Sequence, residues 1–262
     1  MTHRRGFSLL ELLVALGIMS VLIALLIPSL AGLSNASRAT KCLANMRAVQ
    51  TAHFTYATDH EGRFVDAGLS HGALLDESVA WITTLEAYID GSTLVLQSPL
   101  DESPHWPVSM GGEGKPVEGT TDRFRRTTYG VNNYLTSFSP GQRYERLSQV
   151  ANPRSTVHFL FMVETGAFAG ADHVHVENWW ISDSLPDAPP ALADDHVKLH
   201  AVRGDPIESF EFASRGWQSE SNYGFLDGHA ETLAFSTVYR TFEHNRFDPM
   251  SVARSVLFGD SQ

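Results

Sequence analysis

The chain holds a single cysteine, Cys42, among 262 residues. No internal disulfide is possible, so stability must come from packing or from a bound ion. Cys42 is expected to serve as a small apolar helix residue, with an intermolecular bridge as the other option. Positive charge is scarce as well: 19 Lys and Arg stand against 30 Asp and Glu, a formal net charge of −11. Such acidity argues against general binding of nucleic acid or of anionic membrane surfaces by a soluble part, though it leaves room for a local basic patch. Common catalytic fingerprints are missing too. There is no Gly-x-Ser-x-Gly, no P-loop, no dinucleotide-binding glycine motif and no His-Glu-x-x-His, so an enzyme is not expected.

The most informative absence is one of charge. From Leu12 to Ser37 no Asp, Glu, Lys or Arg occurs, and before this run stand His3, Arg4 and Arg5, then Gly6-Phe7-Ser8-Leu9-Leu10-Glu11. At about 1.5 Å per residue, Phe7 to Leu30 makes roughly 36 Å of helix, enough to cross a ~30 Å hydrocarbon core with some tilt. Its nine Leu, three Ile, two Val and Phe7 contribute at most about −4.5 to −9 kcal/mol to insertion, against a few kcal/mol for the one carboxylate, Glu11. Glu11 therefore does not prevent insertion, but it calls for a countercharge. A secretory signal peptide cut near Ala31-Gly32, or a plain anchor, would share the basic head and the apolar run. The acid inside the run, and a length beyond the ~7–15 residues of a signal core, argue against the signal peptide.

Gly6-Phe7-Ser8-Leu9-Leu10-Glu11 resembles the processing site of type IV prepilins and type II secretion pseudopilins. The resemblance implies that a membrane peptidase cuts after Gly6 and methylates the new amino terminus on Phe7. It also implies that Glu11 neutralises the terminal ammonium of a neighbouring subunit during filament assembly. Two charges that are each costly in lipid become tolerable where they meet. Pro28 stands where relatives often carry Pro. An interior Pro removes a backbone donor and kinks a helix, and it is equally compatible with the end of the membrane segment.

Beyond Pro28 the helix is expected to resume and end at Gly62. Ala39, Cys42, Met46, Val49, His53 and Tyr56 recur at spacings of three and four and form one stripe, with Arg38, Lys41, Asn45 and Gln50 mostly elsewhere. His53 on that stripe reads as a core histidine. Lys41–Arg47 and Tyr56–Phe64 are similar to the helix exit of a prepilin subgroup with a C-terminal His-x9-Asp-Gly signature. Gln97-Ser98-Pro99-Leu100-Asp101 resembles a segment where relatives have Cys-Pro-x-Asp. Ser98 takes the cysteine's place, which puts the family disulfide out of reach here. Thr128–Leu135 also resembles that subgroup.

The rest reads as one α+β head. A short helix is expected from Ser78 to Asp90, ending at Gly91, and a Pro- and Gly-rich loop from Ser98 to Asp122. Asn152-Pro153 predicts a turn, and Val157 to Val163 a buried strand, with Glu164 at its end as a surface residue. In Asp172-His173-Val174-His175-Val176-Glu177 the alternation places His173 and His175 on one strand face, a spacing able to bind zinc or copper. Asp194, Asp195, His196 and His200 follow, but no tight metal motif accompanies them, and a polar edge strand is the plainer reading. Trp179-Trp180 reads as a packing anchor before a carbohydrate platform. Pro186, Pro189, Pro190 and Pro206 bracket a long insertion where specificity would reside.

Tyr223–Leu226, Asp227-Gly228 and His229–Phe235 predict two strands joined by a type I′ turn. The Asp-Gly end of the signature is present, but Trp217 stands where its His should be. Asp227 reads as a turn former or, as in loops of some pseudopilins, a calcium ligand; no other cofactor is expected. Asp248-Pro249 predicts the cap and first residue of a helix to Phe258, stopped by Gly259.

The expected architecture is thus pilin-like, a long N-terminal helix, membrane-spanning in its first half, packed on an antiparallel β-sheet head. Residues 1–6 form a leader, 7–30 the membrane half of the helix, 31–61 its amphipathic half and 62–262 the head. The resemblance implies a single-pass inner-membrane protein with an extracytoplasmic head. Its implied partners are a prepilin peptidase and methylase, other pilin-like subunits and an inner-membrane assembly platform, with no nucleic acid. A membrane-tethered module binding metal or glycan through the His- and Trp-containing insertion is the alternative. A tethered hydrolase using His173, His175 and an Asp is a weaker one.

Overall fold

Helix α1 runs from Leu9 to Asp59 in a computed structural model that describes residues 9–69, 76–89, 95–139, 144–179, 198–199, 201–205, 207–210, 213–241 and 243–258. For 27–35, 178, 198–199, 208–210, 213–215 and 255–258 the backbone alone is described. Gly6, Phe7, Gly91, Trp180, Pro186, Pro189, Pro190, Asp194, Asp195, His196, His200, Pro206 and Gly259 lie outside the described residues.

The chain forms two compact units, Met1–Thr40 and Lys41–Gln262. In the first unit every side chain from Leu9 to Leu26 is exposed, and this stretch is long and apolar enough to cross a membrane. A helix on a water-soluble domain hides one apolar stripe and shows polar residues elsewhere. Here leucines and isoleucines point in every direction, the pattern suited to lipid on all sides. The α-helical backbone passes Pro28 unbroken, so this residue lies within the helix and does not end it.

In the second unit the remainder of α1 ends in a hydrogen bond from Gly62 N to Ala57 O (2.6 Å), which satisfies one of the last carbonyls. Glu61 and Gly62 both take positive φ. Arg146 holds the strained Glu61 by donating to its carbonyl (2.7 Å) and to its carboxylate (2.9 Å). Along this half of the helix Cys42, Met46, Val49, Ala52 and His53 are buried, as the spacing predicts. Asn45 and Gln50 are buried with them, against expectation. Each has a partner from distant sequence: Asn45 Nδ2 donates to Gln97 O (3.1 Å), and Gln50 Oε1 lies 3.3 Å from His158 Nδ1. These partners allow a wider buried stripe than apolar residues alone would mark.

The stripe packs on a five-stranded sheet of β1 (Tyr129–Asn132), β2 (Val157–Phe161), β3 (His173–Val174), β7 (Glu220–Phe225) and β8 (Ala230–Ala234), in the order β3-β1-β2-β7-β8. β1–β2, β2–β7 and β7–β8 are antiparallel, but β3 runs parallel to β1, with Val131 opposite His173. The sheet is therefore mixed and not wholly antiparallel. After β2 the chain crosses through the 3₁₀ turn Ala167–Gly170 and returns on the far side of β1, a connection that no local pattern announces.

Alternation along β2 divides two cores. Phe159 and Phe161 join Cys42, Met46, Val49 and Trp81 on the helix side, while Leu160 and Met162 join Trp179, Tyr223, Phe235 and Phe247 on the other. A register irregularity between Val157 and Phe159 places Val157 with the second group. A smaller antiparallel sheet is made by β4 (Lys198–Leu199), β5 (Ile207–Phe210) and β6 (Ala213–Arg215).

The other described helices are short. The single helix expected over Ser78–Asp90 is two turns, α2 (Trp81–Thr84) and the 3₁₀ segment Glu86–Tyr88, which meet at buried Leu85. α3 (Phe235–Val238) follows β8, and α4 (Pro249–Phe258) begins with Asp248 Oδ1 accepting from Met250 N at 2.9 Å, the expected cap. Glu164 is half-buried, its Oε1 accepting from Glu102 N (3.0 Å).

Candidate functional site

The residues expected to carry function fall in both units. In the first, Glu11 lies in the first turn of α1 as described, exposed among Leu9, Leu10, Leu12 and Leu13. At membrane depth a carboxylate costs several kcal/mol less when a positive group meets it.

In the second unit His173 and His175 do come together. Their Nε2 atoms lie 3.1 Å apart, with ring planes at 73°. Each Nδ1 is held by a carboxylate, His173 by Asp172 Oδ1 (3.1 Å) and His175 by Glu177 Oε1 (2.7 Å). Asp172 is fully buried and also accepts from Gly68 N (2.9 Å) and Leu69 N (3.1 Å). Glu177 Oε1 takes a further short bond from Asn133 Nδ2, and the Asn133 amide is oriented by Thr136 Oγ1, which donates to its Oδ1 at 2.7 Å. Phe138 stacks on the His173 ring. Parallel pairing of β3 with β1 brings Asn133, just after β1, to this place; sequence reading had no signal for it. Among the described residues no group of three or more His, Cys, Asp or Glu side chains is arranged to hold a metal ion.

The Asp227-Gly228 hairpin is present, but its turn differs from expectation. Phe225 N donates to His229 O and Gly228 N to Phe225 O, both at 2.9 Å, which makes a three-residue loop. Gly228 has φ +94°, and among the described non-glycine residues Glu61 alone has positive φ. A type I′ turn needs positive φ at both central residues, so Asp227 rules it out. Asp227 Oδ1 instead accepts from His229 N (3.2 Å) and makes a short contact with His229 Nδ1, as a turn-forming Asp does. Trp217 packs edge-on against Phe235 (4.8 Å) and Tyr239, so the aromatic in place of the signature His serves the second core. Trp179 is fully buried beside Phe235, Tyr239 and Phe247 and offers no face to a sugar.

A family model for the prokaryotic N-terminal methylation motif matches residues 1–27. The match supports a likeness of this N-terminal stretch to that of type IV prepilins and pseudopilins. The match takes in Gly6, Phe7 and Glu11 together with the whole stretch that is exposed and apolar in the first unit. No curated protein and no solved structure matches the chain. The helix exit, the Ser98 segment and the Asp-Gly hairpin therefore stand on their own geometry.

That geometry is informative at Cys42. The thiol is buried, burial pushes its pKa up to about 11, and Asn222 Nδ2 donates to its sulfur at 2.9 Å. A thiol so placed is closed to a partner chain, which removes the intermolecular bridge.

Proposed function

We propose that this chain is a structural subunit of a type IV pilus-like or type II secretion-type filament. The observation that carries the reading is the methylation motif over residues 1–27, which takes in the exposed apolar stretch Leu9–Leu26 of α1. In this reading the precursor inserts once in the inner membrane with its head outside the cytoplasm. Prepilin peptidase cuts after Gly6 and the new terminus on Phe7 is methylated. The Glu11 carboxylate then receives the terminal ammonium of the neighbouring subunit, and the pairing fixes a small axial offset as the helices bundle. Pro28 lets the helix bend in that bundle, because its ring denies one backbone hydrogen bond. The second unit forms the filament surface and meets the assembly platform during extrusion.

Intact-mass measurement of the chain purified from membranes tests the processing step, which predicts a mature protein that begins with methylated Phe7. A chain that begins at Met1 would overturn it. Glu11→Ala tests the assembly step: insertion and cleavage stay intact and filaments are lost. Normal filaments in that variant would remove the role given to Glu11.

A further inference from the structure

Two hydrogen-bonded histidine–carboxylate pairs meet nose to nose at the edge of the sheet. Asp172 accepts two backbone N–H bonds and the His173 contact, and a carboxylate so engaged is an acceptor only, so the proton of His173 sits on Nδ1. His175 Nδ1 lies 2.7 Å from Glu177 Oε1 and 3.2 Å from Asn133 Nδ2; the shorter contact, to an acceptor, assigns the second ring the same tautomer. Both Nε2 atoms then present lone pairs to each other across 3.1 Å. Two acceptors at that distance repel unless a positive species lies between them.

The positive species can be a proton or a metal ion, and the charge inventory favours the metal. Asp172 is 0% exposed and Glu177 6%. Glu177 Oε2 is buried with no hydrogen-bond partner among the described residues. Counted over these four side chains, one proton leaves a net negative charge beside the two carboxylates, whereas a dication balances them. Distance agrees: two nitrogens each ~2.05 Å from one ion stand about 2.9 Å apart at a right angle and about 3.3 Å apart at the tetrahedral angle. The observed separation lies between. A carboxylate on the far nitrogen of each ring is also the usual support of a metal-bound histidine, since it sets the tautomer and raises ligand basicity.

We propose that His173 and His175 bind one divalent first-row cation of the zinc type through their Nε2 atoms. Asp172 and Glu177 are positioning residues, Asn133 steadies Glu177, and solvent completes the coordination. Imidazole pairs suit zinc, copper and nickel and exclude magnesium and calcium. The side chain of His175 is 18% exposed, which gives an ion a way in. Nothing in this site depends on filament assembly.

The test uses the full-length protein in detergent, stripped with a chelator and titrated with zinc alone by calorimetry. The expected result is one zinc per chain with micromolar affinity, and an X-ray absorption spectrum of the loaded protein with two imidazole ligands. His175→Gln should weaken binding at least ~30-fold, and Glu177→Gln about 10-fold through ring orientation, with circular dichroism unchanged. His229→Gln should leave affinity as it is. Absence of saturable binding, fewer than two imidazoles on the zinc, or wild-type affinity in folded His175→Gln would each overturn the site. The spectrum of the wild-type protein decides even where a variant fails to fold.

Discussion

Ser98, buried in a loop far along the chain, stands beside the buried thiol of Cys42 on helix α1, where it works against the upward push of burial on the thiol's pKa. Ser98 Oγ also accepts from Leu100 N at 3.0 Å, which holds the side chain in place. Ser98→Cys would put a second sulfur in the same place. Under oxidising conditions that variant is expected to form a disulfide between Cys42 and the new thiol, and to gain about 2–4 kcal/mol. Thiol counting and thermal unfolding with and without reductant check it; an unbridged, unstabilised variant would mean that the two side chains approach in a geometry no disulfide can adopt.

A second expectation concerns acid. The rings of His53 on α1 and His158 on β2 lie 4.1 Å apart, both fully buried. Burial pushes His53 down to about 3, and burial together with the charge on His53 holds His158 well below its usual range. Both are neutral in the fold at pH 7. The unfolded chain takes up these protons near pH 6.5 and the native chain does not, so their contribution is complete above pH 6.5 and is lost progressively towards pH 3. His53 alone should account for about 2 kcal/mol between pH 7.5 and pH 5. Denaturant titrations at the two pH values measure it, and His53→Phe should reduce the difference by about that amount. An unchanged slope in that variant would show that other groups cause it.

Gly224 on β7 gives a third. A Cβ there would collide with the Gln50 side chain, whose buried amide reaches over the strand from α1. Gly224→Ala should cost about 1–3 kcal/mol by overpacking. In a Gln50→Ala background the same substitution should cost almost nothing, because the colliding atoms are gone. A double-mutant cycle by urea unfolding reads the coupling directly, and additive effects would refute the contact.

What could be read from the sequence and what could not differ in range. The N-terminal motif is contiguous, so Gly6, Phe7 and Glu11 could be picked out by eye, and the family match falls on the same residues. Helical spacing from Cys42 to His53 and the Asp-Gly hairpin are likewise local signals. Gln50 was misplaced because its reason for burial, His158, lies 108 positions away. The turn at Asp227 was mistyped because its geometry depends on Leu226 N reaching Thr156 O at 3.1 Å, a tether outside the hairpin. Alternation predicts His173 and His175 on one strand face; the two rings do meet, although β3 ends at Val174 and His175 lies beyond it. Asn133 was out of reach, since it arrives through a parallel strand pairing.

The last prediction tests a residue with no motif. Arg125 and Asp101 form an ion pair at 2.8 Å with both side chains 0% exposed. Arg125 Nη1 also donates to Val163 O (2.6 Å) and Ala169 O (2.9 Å), and its guanidinium lies over the Trp106 ring. Asp101 accepts from Thr128 Oγ1 (2.6 Å) and Ser103 N (3.0 Å). The pair thus ties the long loop after Ser98 to the residue before β1 and to the connection between β2 and β3. Arg125→Leu strips Asp101 of its countercharge in a dry site and frees two carbonyls at once, so a loss of about 3–5 kcal/mol is expected. Arg125→Leu with Asp101→Leu removes the stranded charge, and the double variant should be more stable than Arg125→Leu alone. Thermal unfolding of the three proteins decides it: a double variant no more stable than the single one would show that the carbonyl bonds, and not the charge pair, hold this loop.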